Sequence, residues 1–118
     1  MIIGVPKEVK HNEFRVGIVP SGDNVLISAG HRVIVERNAG EGSGINDQKF
    51  TEQGAEIAFS SKEVYEASDL IIKVNEPISD ELGLLRKGQI LFCFLHLAAF
   101  LKPPIGCLIM VCCLFSNQ

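Results

Sequence analysis

The sequence lacks several things, and each shortage removes a class of function. There is no basic cluster, and the formal charge at pH 7 is −3, so the positive footprint that holds nucleic acid is missing and no nucleic-acid partner is expected. No apolar run approaches the roughly 20 residues needed to span a bilayer. The uncharged stretch from Ile105 to Phe115 is too short for that, and no membrane partner is expected. The N-terminus reads Met1-Ile2-Ile3-Gly4-Val5-Pro6-Lys7-Glu8. A proline and charges follow a brief apolar patch, so the long apolar core of a secretory signal is absent and a cytoplasmic protein is predicted. The four cysteines, Cys93, Cys107, Cys112 and Cys113, crowd the last quarter of the chain without the spacing of a zinc site. They read as reduced thiols, with no metal expected. No internal repeat is visible.

What is present is a chain of 118 residues, 47% hydrophobic and 21% charged, enough for one ordinary domain with a real core. Ile2 to Val5 is a short apolar run closed by Pro6, a first strand. A polar segment from Lys7 to Arg15 follows, long for a connection in a compact α/β unit and therefore a candidate functional loop. Ser21 offers an N-cap, Val25, Leu26 and Ala29 an apolar face and Gly30 a stop, which predicts a short helix. Arg32 to Glu36 reads as a second strand, Asp47 to Gln53 as a brief helix with Phe50 inward, and Ala55 to Ala58 as a further strand. Ser60-Ser61-Lys62-Glu63 has capping-box spacing and opens a helix with Val64 and Ala67 on its apolar side. Leu70 to Ile72 reads as a buried strand. Ser79 caps a last helix with Arg86 and Lys87 in its final turn and Gly88 beyond. The repeated order of strand then helix predicts an α/β fold, a parallel sheet with flanking helices in the flavodoxin or Rossmann style.

Ile90 to Leu95 is an unbroken apolar run, the pattern of a strand buried on both faces of a parallel sheet. His96 follows at once. An imidazole just past the carboxyl end of a buried strand sits where open α/β sheets bind ligands, and it titrates near working pH; the alternative is a hydrogen-bonded core histidine. The glycines of Asn38-Ala39-Gly40-Glu41-Gly42-Ser43-Gly44 invite a phosphate-loop reading. Their spacing fits neither dinucleotide nor Walker pattern, and Glu41 would set a carboxylate against the phosphate, which favours a plain turn. In a parallel sheet the segments carrying Arg15, Lys73 with Asn75, and His96 converge along the carboxyl edge. An arginine fork for a carboxylate, a lysine or asparagine donor for a carbonyl oxygen and a histidine to exchange a proton together suit a 2-oxo acid. Arg15 and Lys73 are equally compatible with solvated surface charges.

The segments Ile3-Gly4-Val5-Pro6-Lys7-Glu8, His11 to Val16, Ala39 to Gly44, Lys73-Val74-Asn75-Glu76-Pro77 and Phe94-Leu95-His96-Leu97-Ala98-Ala99 resemble the N-terminal substrate domain of the alanine dehydrogenase and pyridine nucleotide transhydrogenase family. The match is nearly continuous over residues 1–99. Beyond it, residues 100–118 read as a divergent, non-native apolar tail, and the expected Rossmann NAD-binding domain is absent from the sequence. The resemblance implies NAD-dependent, reversible oxidative deamination of L-alanine to pyruvate and ammonia, by a homo-hexamer. By position it implies Arg15 as the holder of the substrate carboxylate, His96 as the catalytic acid/base, and Asn75 in the place of a substrate-contacting lysine. Lys73 matches the other lysine of that segment and inherits no such role.

Asn75 departs from the dehydrogenase pattern and matches what the related transhydrogenase typically carries, whereas His96 favours the dehydrogenase branch. The expectation is an N-terminal fragment of an alanine dehydrogenase, inactive alone and binding no NAD by itself. Two alternatives stay open: a remnant of the transhydrogenase alpha subunit, and a non-catalytic interaction module.

Overall fold

The short apolar runs become strands, and the strands lie parallel. The computed structural model describes residues 1–9, 13–75, 79–93 and 108–111. Strands β1 (Ile2–Val5), β2 (Arg32–Glu36), β3 (Glu56–Ala58), β4 (Leu70–Lys73), β5 (Ile90–Cys93) and β6 (Leu108–Val111) form one six-stranded sheet in the order β3-β2-β1-β4-β5-β6. Every neighbouring pair is parallel. The α/β class and the parallel sheet predicted from the alternation of elements are therefore what the chain forms. The apolar segment after residue 100 contributes the edge strand β6, whose backbone pairs Ile90 with Leu108 and Cys93 with Val111.

Alternate residues of a strand face opposite sides of the sheet, and two cores result. Val33 and Val35 look to one side, where Ile3, Val5 and Phe50 join them under helices α1 (Pro20–Ser28) and α2 (Asp47–Glu52). Ile34 looks to the other, packed with Val64, Tyr65, Ile71 and Leu91 beside helices α3 (Ser61–Ala67) and α4 (Ser79–Leu82). The chain changes faces when it passes from the edge strand β3 to β4 on the far side of β1. That reversal opens a crevice beyond the carboxyl ends of β1 and β4, the place where sheets of this kind bind ligands.

Several local expectations change on folding. Helix α1 starts at Pro20, not behind Ser21, because proline suits the first helical position, where an N–H would have no partner within the helix; its N-cap is Val19, whose apolar side chain makes no cap bond. Ser60 caps α3 as expected, its hydroxyl accepting from the Glu63 N–H at 3.2 Å. The Glu63 carboxylate accepts from the Phe59 N–H at 3.1 Å, one residue further out than a capping box requires. The buried face of α3 is Val64, Tyr65 and the flanking Ser68, while Ala67 is exposed. A Cβ on Gly4 would collide with the Ser68 hydroxyl, so the missing side chain at Gly4 lets α3 lie close against β1.

Helix α4 ends at Leu82, before Arg86 and Lys87. Arg86 therefore serves another helix: its Nη2 donates to the Ser68 carbonyl at 2.6 Å. The buried Gln89 adds bonds from Nε2 to the Tyr65 carbonyl at 2.7 Å and the Ser68 carbonyl at 2.9 Å. Orphan carbonyls at the end of α3 are thus closed by the turn that leads into β5. In β5, Leu91 and Cys93 are buried and Ile90 and Phe92 half-buried, so the strand is not enclosed on both faces as its apolar run suggests. In the first turn of α1, Asp23 is fully buried with no hydrogen-bond partner for either carboxylate oxygen among the described residues, and burial pushes its pKa up to about 7.

Candidate functional site

Two loops border the crevice, one following β1 and the other following β4. The first sends Glu8 inward. Its carboxylate accepts from the Lys73 ammonium at 3.0 Å and from the backbone N–H groups of Val74 at 2.9 Å and Asn75 at 3.3 Å. Lys73 also pairs with Glu81 of α4 at 3.0 Å, and Glu81 accepts from the Tyr65 hydroxyl at 3.3 Å. The Lys73 side chain is only 1% exposed. The solvated-surface reading of Lys73 is thereby corrected: its charge sits inside the fold between two carboxylates and ties both loops to α4. Burial first, and the charge of Glu81 second, drive the Tyr65 hydroxyl far above its usual range, so it stays a hydrogen-bond donor to Glu81.

The second cluster lies further out along the same loops. Glu13 accepts from Arg15 Nε through Oε2 at 2.9 Å and from Arg15 Nη2 through Oε1 at 2.9 Å. It also accepts from the Arg15 backbone N–H at 2.8 Å. Across the crevice, Asn75 Nδ2 donates to Glu13 Oε1 at 2.7 Å. The Arg15 hydrogen bonds, with a smaller contribution from Asn75, pull the Glu13 pKa down to about 2, and Glu13 raises that of Arg15. Arg15 is 62% exposed at its side chain while Glu13 is 9% exposed. The fold thus brings Arg15 and Asn75 together, as their positions after adjacent strands predict, and it does so through a carboxylate. His96 lies outside the described residues. The end of β5 at Cys93 is in register with Lys73 of β4.

The glycine segment after β2 packs against the loop after β1. It forms a short 3-10 turn, Glu41–Ser43, and its Ser43 hydroxyl donates to the Phe14 carbonyl at 2.7 Å. A Cβ on Gly42 would come 2.9 Å from that same carbonyl oxygen. The turn therefore braces the backbone between Glu13 and Arg15. Between the brace and the loop after β1 lies an open cleft of about 330 Å³, bordered by Lys7, Glu8, Glu13, Arg15, Glu41 and Gly42. Arg15 fronts this cleft, and Asn75 meets it only by way of Glu13.

The described part of the constellation thus offers an arginine fork and an amide donor converging on one carboxylate, an arrangement that recognises carboxylates. The sequence alone points to neither glutamate. Glu13 has a faint signal, since residues two apart in an extended segment share a side. Glu8 has none, because its partners are some 65 positions away.

The family model described as "Alanine dehydrogenase/PNT, N-terminal domain" matches residues 4–105 of this chain. The chain belongs to that family. Among curated relatives, the alanine dehydrogenase of Bacillus subtilis is 52% identical over 99 residues, covering 84% of this chain and 26% of that protein. That of Methanococcus maripaludis is 51% identical over 98 residues, 83% of this chain and 26% of the relative. The chain therefore spans about a quarter of the length of the curated relatives it matches. Among solved structures, an L-alanine dehydrogenase superposes with a TM-score of 0.80 at 46% identity, covering 84% of this chain and 27% of that one. A transhydrogenase from Sinorhizobium meliloti gives 0.75 at 32% identity, covering 80% and 27%. Among the described residues of this alanine dehydrogenase/PNT domain, no helix is long and apolar enough to cross a membrane.

A dinucleotide fits poorly against the described residues. In doubly wound sheets its pyrophosphate lies on free backbone N–H groups beyond the central strands. In this domain the Val74 and Asn75 amides beyond β4 are bonded to the Glu8 carboxylate, so they are not free to receive a phosphate.

Proposed function

We propose that this domain is the substrate side of an NAD-dependent alanine dehydrogenase, a cytoplasmic homo-hexamer that interconverts L-alanine with pyruvate and ammonia. Arg15 receives the substrate carboxylate, Asn75 donates a hydrogen bond beside it, and His96 exchanges the proton at the reacting centre. The nicotinamide cofactor is held by a separate Rossmann domain, a reading supported by the Val74 and Asn75 amides being bonded to Glu8 instead of standing free. Residues 1–99 carry the substrate-side motifs, and residues 100–118 are a tail divergent in sequence whose Leu108–Val111 segment adds β6 to the sheet. The observation that carries the reading is the meeting of Arg15 and Asn75, from loops after adjacent strands, on a single carboxylate.

Asn75 favours a second reading, the transhydrogenase branch, since that branch typically carries asparagine here. Against it stands the lower identity to the transhydrogenase, 32% compared with 46% for the L-alanine dehydrogenase. Titration of the 118-residue chain with pyruvate, followed by chemical shift or calorimetry, tests the first reading. Arg15→Ala is expected to abolish binding, Asn75→Lys to tighten it by adding a positive group, and His96→Ala to weaken it only modestly, because a proton-transfer group matters more to reaction than to ground-state binding. Equal binding by the parent chain and Arg15→Ala would sink the assignment.

A further inference from the structure

The Arg15 and Asn75 donors already hold a carboxylate, that of Glu13. Arg15 meets it through the Nε and Nη2 edge, and the Asn75 amide shares Oε1 with Arg15 Nη2, at 2.7 Å and 2.9 Å. A ligand carboxylate that uses both loops at once has to occupy the point where those donors converge. That point is filled from within the chain. We infer that Glu13 is an internal latch, a side-chain carboxylate standing in for the ligand's, and that a 2-oxo or amino acid enters only by exchanging with it.

The inference rests on the reading of Arg15 as the holder of the substrate carboxylate. Several features give the exchange its form. Ser43 and Gly42 fix the Phe14 backbone between Glu13 and Arg15, so the latch opens by rotation of the Glu13 side chain and the loop stays in place. Glu13 neutralises the guanidinium beside it, Glu8 is paired with Lys73, and Lys7 and Glu41 on the same cleft offset each other, so an incoming anion is drawn weakly until Glu13 leaves. With the Glu13 pKa at about 2, the latch remains ionised across working pH and opens by displacement, not by titration. Asn75 completes it: the amide has no positive charge to attract a second anion, and its bond to Glu13 adds to what the ligand must break.

The test is titration of the full 118-residue chain with pyruvate and, separately, with acetate, which shares only the carboxylate. Glu13→Gln is expected to raise affinity for both by a similar factor, about three- to tenfold, since an exposed ion pair and one charge-assisted hydrogen bond are each modest. In the unaltered chain, carbon-labelled Glu13 Cδ and nitrogen-labelled Arg15 Nε are expected to shift together with one midpoint as pyruvate binds. This second readout needs no substitution and stands even if Glu13→Gln folds badly. Equal or weaker binding by Glu13→Gln, including no detectable binding by either chain, overturns the latch. So does an Arg15 shift with Glu13 Cδ unmoved, which means that the ligand joins the pair without displacing it. If binding in those cases is still lost in Arg15→Ala, the carboxylate site survives and only the latch fails. If Arg15→Ala binds like the parent, the site reading and the latch fall together.

Discussion

Two charge clusters grow from the same pair of loops, and they behave as opposites. Lys73 with Glu8 and Glu81 is dry: the lysine side chain is 1% exposed and its partners are buried with it. Arg15 with Glu13 and Asn75 is wet on its cationic side, the arginine being 62% exposed. Only two positions separate Lys73 from Asn75, so chemistry and sequence position do not sort them. Burial does. In the dry cluster two carboxylates face one ammonium, backbone N–H groups and a tyrosine hydroxyl, and such a group locks structure because separating its members leaves charge without solvent. In the wet cluster water reaches the guanidinium, so the bonds of Arg15 exchange at little cost and a ligand can compete for them.

The largest expected effect comes from breaking the dry side. Lys73→Met leaves Glu8 and Glu81 without their cation and is expected to cost about 3–5 kcal/mol in urea unfolding. A loss no greater than that of a surface substitution would erase the distinction.

Asp23 sharpens the comparison, being as buried as Lys73 but without a partner among the described residues. Its pKa is raised from 3.8 to about 7. The folded state therefore keeps the proton where the unfolded chain releases it, and stability falls as pH rises through that window, reaching its full penalty above about pH 7. Asp23→Ala is expected to gain on the order of 2–4 kcal/mol at pH 8 and little at pH 4. Thermal unfolding at the two pH values reads the difference, and an equal change at both would show that Asp23 does not titrate in this way.

Smaller effects are expected on the wet side. Gly42→Ala pushes a Cβ to 2.9 Å from the Phe14 carbonyl oxygen, and a cost of about 1–3 kcal/mol should come with weaker pyruvate binding as Arg15 shifts. Destabilisation with pyruvate affinity unchanged would separate the brace from the site. Arg15→Ala is expected to change stability by less than about 1 kcal/mol while removing pyruvate binding. A larger fall in urea unfolding would place Arg15 with the structural cluster.

Strand positions, the helix cap at Ser60, and the parallel class were legible in the sequence because they follow from local rules: short apolar runs, a polar oxygen ahead of a helix, glycine at a stop. The resemblance over residues 1–99 added the family and the expectation that Arg15 and Asn75 share a site. The sequence by itself determined which side chains could do chemistry and which strand ends would present them. It did not determine their states. Whether Lys73 would be solvated or enclosed, whether Arg86 would serve its own helix or α3, and whether the glycine turn would cradle an anion or brace Phe14 depended on contacts between elements far apart in the chain. Only the tertiary structure decided that Glu8 ties the loop after β1 to the loop after β4, and that Glu13 takes the donors of Arg15 and Asn75. The physical reason is that desolvation and hydrogen-bond partnership are properties of a place in the fold, created when the sheet order sets β1 beside β4.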